Sequence, residues 1–271
     1  MSGIKNTIQR IADALRPLEF VRAVVLGGSR ATGTAGAESD LDIGVYYDHE
    51  RLDLVALNGI VGALDDEGRS DMVCPEGGWG PWVNCGAWLC VDGVATDLIL
   101  RDVARVEKAI EDTYLGKITA NYHPGHPHAY LNVMYRGELA LCRVLWAREG
   151  FAGMQARAQE YPEKMRQKLL EMFRFETGFA LGIAEKSLRS GDPGYVAGNL
   201  YRAAACMNQA LFAWNRAYCL NEKKAARRVE TLAVHPENYA ARMAEIFEGP
   251  TAEGVALMKA LAAEADEICG R

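Results

Sequence analysis

The sequence predicts an α+β chain, with a small α/β part over residues 1–150 and an all-α helical bundle over residues 151–271. Three observations predict it. Apolar runs of strand length occur only in the first 150 residues. Two of them, 87–91 and 94–100, are joined by Asp92-Gly93, a dipeptide suited to a two-residue hairpin loop. Beyond residue 150 the apolar residues recur at helical spacing over much longer stretches, and strand signals vanish.

Taken in order, residues 4–15 place Ile4, Ile8, Ile11 and Leu15 on one helical stripe. Residues 20–26 read as a buried strand that ends in Gly27-Gly28-Ser29-Arg30. A second strand opens at Ser39-Asp40-Leu41-Asp42 and carries both Asp40 and Asp42. Residues 51–65 read as a helix despite Asn58 and Gly59, and 74–85 (CPEGGWGPWVNC) as a loop. After the hairpin a helix runs from Asp102 to about Tyr114. NYHPGHPH at 121–128 reads as a loop, 130–138 as a short helix, and 141–146 as the last strand. In the helical part, 163–189 is stopped by Ser190-Gly191-Asp192-Pro193-Gly194, and a second long helix spans about 195–218. A third starts from an Asn221 cap and ends at His235-Pro236, and two more cover 236–247 and 252–268, the last capped by Thr251.

Composition narrows the function classes. The 271 residues carry a formal net charge of −6, so no global positive field favours nucleic acid or an anionic membrane. No apolar run reaches the roughly 18–20 residues of a membrane span, and the N-terminal stretch lacks the apolar core of a signal peptide. Seven cysteines without a C-x-x-C pair read as reduced thiols of a cytoplasmic protein.

The chemistry concentrates between residues 27 and 97. Two glycines after a strand let backbone approach a phosphate without a Cβ in the way, and Ser29 adds a hydroxyl. A following helix would turn its N-terminal amides toward an anion. Residues i and i+2 of a strand share a face, so Asp40 and Asp42 stand side by side and call for a cation between them. Hard carboxylate oxygens together with substrate phosphates suit Mg²⁺. Asp97 lies within the second hairpin run, where an isolated acid is costly unless paired or metal-bound. Asp102, past Arg101 at the strand end, is the weaker candidate.

The stretch GGSRATGTAGAESDLDIGVYY, residues 27–47, resembles the signature of the DNA polymerase β-like nucleotidyltransferase superfamily. The resemblance implies a small mixed-sheet nucleotidyltransferase domain and transfer of a nucleoside monophosphate from an NTP to a hydroxyl. It implies two Mg²⁺ ions about 3.5–4 Å apart, bridged by Asp40 and Asp42, with Asp97 as the third acid. Gly27, Gly28, Ser29 and Arg30 would meet the triphosphate. A sheet domain followed by helices resembles the antibiotic nucleotidyltransferases acting on aminoglycosides or lincosamides, in which the helical domain closes the nucleotide and acceptor cleft. That implies ATP as donor and a small-molecule acceptor; some relatives also form homodimers. A lysine from the helical domain binds the triphosphate in related enzymes, which points to Lys223, beside Lys224. Transfer to tRNA or protein and a non-enzymatic nucleotide-binding module are the competing classes.

Other residues stand out. Asn208 and Asn215 are seven apart on one helical stripe, with Tyr201 seven before, and mark either a cleft or a buried hydrogen-bond network. His123, His126 and His128 lack nearby cysteines and helical i, i+4 spacing, so ordinary loop histidines are the expectation over zinc ligands. Trp79, Trp82 and Asn84 precede the hairpin and suit either ring stacking or core packing. Arg228 and His235 loosely fit the Arg-x4-6-His pattern of the HEPN ribonucleases.

Overall fold

In the first 150 residues, alternation along each strand separates a core face from an open face. In a computed structural model that describes residues 2–33, 35–36 and 39–270, β1 (Val21–Leu26), β2 (Leu41–Tyr47), β3 (Cys85–Val91), β4 (Val94–Asp102) and β7 (Arg143–Ala147) form one sheet, ordered β3-β4-β2-β1-β7. The β2/β4 pair is parallel and the other pairs are antiparallel, so the sheet is mixed. Leu41, Ile43 and Val45 of β2, Leu98 and Leu100 of β4, and Ala87 and Leu89 of β3 share one face. There they bury Ile8, Ile11 and Leu15 of α1 (Ser2–Leu15) and Leu57, Val61 and Leu64 of α3 (Leu54–Leu64). A row of fully buried aliphatic side chains of this kind contributes about 1.5–3 kcal/mol per residue. The residues between them, Asp42, Asp97 and Trp88, therefore point the other way.

Other elements of this region are the single turns α2 (Gly28–Ala31) and α4 (Gly80–Val83), and the helices α5 (Val103–Tyr114) and α6 (Val133–Leu141). Asp92 and Gly93 both have positive φ, +51° and +74°, as the two-residue hairpin turn requires. The Asp66 carboxylate accepts from both turn amides, at 2.9 and 2.7 Å. A short helix absent from the sequence reading, α7 (Phe151–Gln159), follows β7. Arg136, 1% exposed, donates to the carbonyls of Ile110, Arg157 and Glu160 and so satisfies backbone oxygens near the ends of α5 and α7.

Contacts divide the chain into one unit of residues 1–111 with 135–160 and another of residues 112–134 with 161–271. In the second, α8 (Glu163–Ser187) and α9 (Pro193–Trp214) form a helical hairpin closed through Gly191 at φ +67°. The helices α10 (Ala225–Val229), α11 (Tyr239–Ile246) and α12 (Ala252–Cys269) pack onto it. Asp192 and Thr251 cap α9 and α12 by accepting from Tyr195 N and Gly254 N. No described helix is long and apolar enough to cross a membrane.

Four expectations are corrected. Residues 121–128, expected as a loop, are a hairpin, β5 (Ala120–His123) with β6 (His126–Leu131). Pro124-Gly125, with Gly125 at φ +88°, makes the turn, and Pro127 is tolerated because each strand of a two-stranded ribbon is an edge. The helix expected from residue 130 starts at Val133, because β6 runs on to Leu131. The second long helix ends at Trp214 rather than 218, where Asn215 takes over its carbonyls. Asn221 does not cap a helix: its carboxamide accepts from Lys223 N in a tight turn, and α10 begins only at Ala225.

Candidate functional site

The parallel pairing of β2 with β4 sets Asp42 directly beside Asp97 on the open face. Asp40 sits one residue before the strand rather than in it, exposed to solvent. Burial, with the Asp40 carboxylate as second cause, pushes Asp97 above the usual carboxylate range. Asp42 and Asp97 are thus neighbours across two parallel strands, and Asp40, one residue before β2, is close enough to act on Asp97.

The glycine loop is built against the same carboxylate. Gly27 N donates to the Asp42 carbonyl at 2.7 Å, which fastens the loop to β2. Gly28 adopts φ +57°, and a Cβ there would overlap the Asp42 carboxylate. Both the dihedral and the space therefore demand glycine. The helix after it is a single turn, with Ala31 N donating to Gly27 O. Ser29 stands in that turn. Arg30 Nε donates to the carbonyls of Ser39 and Asp40, at 3.0 and 3.1 Å. Its guanidinium thereby fixes the segment that delivers Asp40. Asp102 caps α5 through Ala104 N at 3.0 Å and faces Arg105 at 3.7 Å.

Beside the acids lies an aromatic platform. Trp88 is the cross-strand partner of Asp97, shares its face and is 65% exposed. Trp79 stacks on it with centroids 4.6 Å apart. Gly86 makes room, since a Cβ at that position would strike the Trp79 ring. Trp88 was missed in the sequence, although counting back from the Asp92-Gly93 turn pairs it with Asp97. Trp82 instead faces Tyr135, and Asn84, at φ +74°, donates to Tyr47 Oη at 2.7 Å and accepts from Gly77 N.

The remaining candidates lie in the second unit. Tyr201, Asn208 and Lys224 line one concavity of about 330 Å³ together with Glu222, Arg227 and Met243. Asn208 Oδ1 accepts from Tyr239 Oη at 2.9 Å. Asn215 is spent on backbone: its amide donates to Leu211 O and Val234 O, and its oxygen accepts from Val234 N. Lys223 is exposed. Arg228 donates to Tyr218 O and covers the Phe212 ring, while His235 Nδ1 faces Pro236 O. His123 is buried, and His126 meets Glu222 at 3.1 Å.

Which residues fit a divalent ion is decided by this geometry. Asp40, Asp42 and Asp97 are the carboxylates beside the glycine loop, and hard oxygen donors of this kind suit a divalent ion. Residues 8–112 match the family model described as nucleotidyltransferase domain, a segment that holds the glycine loop and all three acids. A search of curated proteins gives no match. Among solved structures the chain is similar to a nucleotidyltransferase-like protein from Exiguobacterium sibiricum, at 8% identity and a TM-score of 0.41, over 96% of this chain and 77% of that one. The family match points to nucleotidyl transfer and leaves donor and acceptor open.

Proposed function

We propose that the chain is an Mg²⁺-dependent nucleotidyltransferase that moves AMP from ATP to a hydroxyl of a small-molecule acceptor, an antibiotic among the candidates. The observation that carries the reading is the Asp42–Asp97 pair in register across parallel strands, with Gly28 backbone against Asp42 and Asp40 near Asp97. Asp40, Asp42 and Asp97 would hold two Mg²⁺ ions, which neutralise the triphosphate and make the acceptor oxygen a better nucleophile.

The chain's own groups then have simple tasks. Gly27, Gly28 and Ser29 present backbone amides and a hydroxyl to the β- and γ-phosphates. Arg30 acts through the Ser39 and Asp40 carbonyls and keeps Asp40 in place. Asp97, on the acceptor side, takes the proton leaving the acceptor hydroxyl. In-line displacement of pyrophosphate asks the protein for position and charge, not for a covalent intermediate. Asn215 is assigned no ligand contact because its amide is committed to backbone.

The stacked Trp79–Trp88 pair beside Asp97 supports a small, ring-bearing acceptor. The net charge of −6 gives no comparable support to a nucleic acid. The test is pyrophosphate release with Mg²⁺, each of the four NTPs and a panel of aminoglycosides, lincosamides and simpler polyols. The proposal expects ATP-dependent release that requires a panel acceptor. Release seen only with tRNA or protein would replace the acceptor class. Tight NTP binding without release under any acceptor would replace the enzyme by a binding module.

A further inference from the structure

No cysteine lies near the histidine loop in sequence. The fold supplies one. His128 of β6, Glu176 of α8 and Cys206 of α9 bring one imidazole nitrogen, one carboxylate oxygen and one sulfur within 4.8 Å of one another. Cys206 Sγ stands 3.4 Å from His128 Nε2, and Glu176 Oε1 stands 3.8 Å from the same nitrogen.

Those distances discriminate between uses of a Cys, His and Glu group. In a nucleophilic triad the acid orients the imidazole through the nitrogen that the thiol does not use. Here thiol and carboxylate both face Nε2, so the arrangement is convergent and no proton relay runs through the ring. Convergence is what a metal ion needs. With Zn–S about 2.3 Å and Zn–N and Zn–O about 2.0–2.2 Å, a tetrahedral site has donor-to-donor edges of roughly 3.4–3.6 Å. The observed 3.4 and 3.8 Å bracket that range.

We propose that His128, Glu176 and Cys206 form a zinc site that ties the β5–β6 hairpin to the α8–α9 pair, with a fourth position for water or an outside ligand. Ligation forms an S–Zn bond as the thiol proton passes to solvent. Thiolate and carboxylate together balance the ion's two positive charges. Arg202, which donates to Glu176 Oε1, then faces a neutral site and anchors the carboxylate, as outer partners of metal ligands do. The mixture of sulfur, imidazole and carboxylate favours zinc over magnesium. The site lies in the helical unit, and the inference does not depend on nucleotidyl transfer.

Cobalt(II) is the probe, because thiolate-to-cobalt charge transfer gives an absorption that Mg²⁺-type carboxylate sites do not produce. Metal-stripped full-length chain titrated with Co²⁺ should develop this band with one equivalent, and Zn²⁺ should bleach it. Cys206→Ser should abolish the band. Glu176→Gln, a part-exposed position that is safer for folding, should keep the band and weaken Co²⁺ affinity by about 10–100-fold or more, since even outer partners carry that much. Far-UV circular dichroism checks that both variants are folded. Absence of the band in the wild type, or a band unchanged in folded Cys206→Ser, overturns the proposal. Should Cys206→Ser not fold, unchanged affinity in Glu176→Gln overturns it.

Discussion

On the open face of β2 and β4, Asp42 and Asp97 stand in register on neighbouring strands, with Asp40 close enough to disturb Asp97. In the helical unit three polar side chains singled out above meet complementary partners: Asn208 with Tyr239, Asn215 with the Val234 backbone, Glu222 with His126. The second arrangement lowers the energy of the fold, because buried polar groups are hydrogen-bonded. The first raises it, because like charges gather where water is partly excluded. The contrast teaches where to look for function: carboxylates that the fold sets side by side on an open face.

That contrast can be broken at either end. The largest effect is expected at Asp42, whose conversion to Asn should cut nucleotidyl transfer by about three orders of magnitude with an unchanged circular dichroism spectrum. Near-normal turnover would remove the carboxylates from the chemistry. Gly28→Ala comes next. Its positive φ and the overlap with Asp42 should cost about 1–2 kcal/mol of stability by denaturant titration, and turnover should fall by roughly 100-fold, or near 2.7 kcal/mol of barrier.

Trp88→Ala sharpens the reading of the platform. The residue is 65% exposed, so the melting temperature should barely move. The acceptor KM should rise by about 3–10-fold, the worth of one aromatic contact, with kcat nearly intact. Asn215→Ala tests the opposite kind of polarity. Loss of its bonds at the end of α9 should cost about 1 kcal/mol and leave the KM for NTP unchanged. A raised KM without a stability loss would return Asn215 to the nucleotide.

The smallest effect carries a sign. Asp97 is more basic folded than unfolded, so between the ordinary carboxylate pKa and its raised value the folded state holds more protons. Stability of the metal-free chain therefore falls as pH rises through that window. Asp97→Asn should remove this slope and raise the metal-free melting temperature at neutral pH by roughly 1–3 °C, while abolishing turnover. A lowered melting temperature would mean that Asp97 is already neutralised within the fold.

Much of this was legible in the sequence, and the limits are physical. Local signals served well: the Ile4 to Leu15 stripe, the Asp92-Gly93 turn and the Thr251 cap are all in place. The hairpin turn even encodes the Trp88–Asp97 pairing, because a two-residue loop fixes antiparallel register. Parallel register is not encoded that way. That Asp42 meets Asp97 depends on how β2 and β4 align across more than fifty intervening residues, which no local pattern specifies. The seven-residue spacing placed Asn208 and Asn215 on a stripe but could not reveal Tyr239 or Val234 as partners. Prolines hid the β5–β6 ribbon, since Pro counts against a strand unless both strands are edges. His128 and Cys206 are 78 residues apart, so their meeting belongs to tertiary structure alone.

The most direct test of the central claim is calorimetric titration of ATP, GTP, CTP and UTP, with and without Mg²⁺, into the wild type and into the Asp40→Ala/Asp42→Ala double variant. The account predicts that ATP binds, that binding needs Mg²⁺, and that the double variant loses it while remaining folded. Binding of no NTP, or metal-independent binding that survives in the double variant, would contradict it.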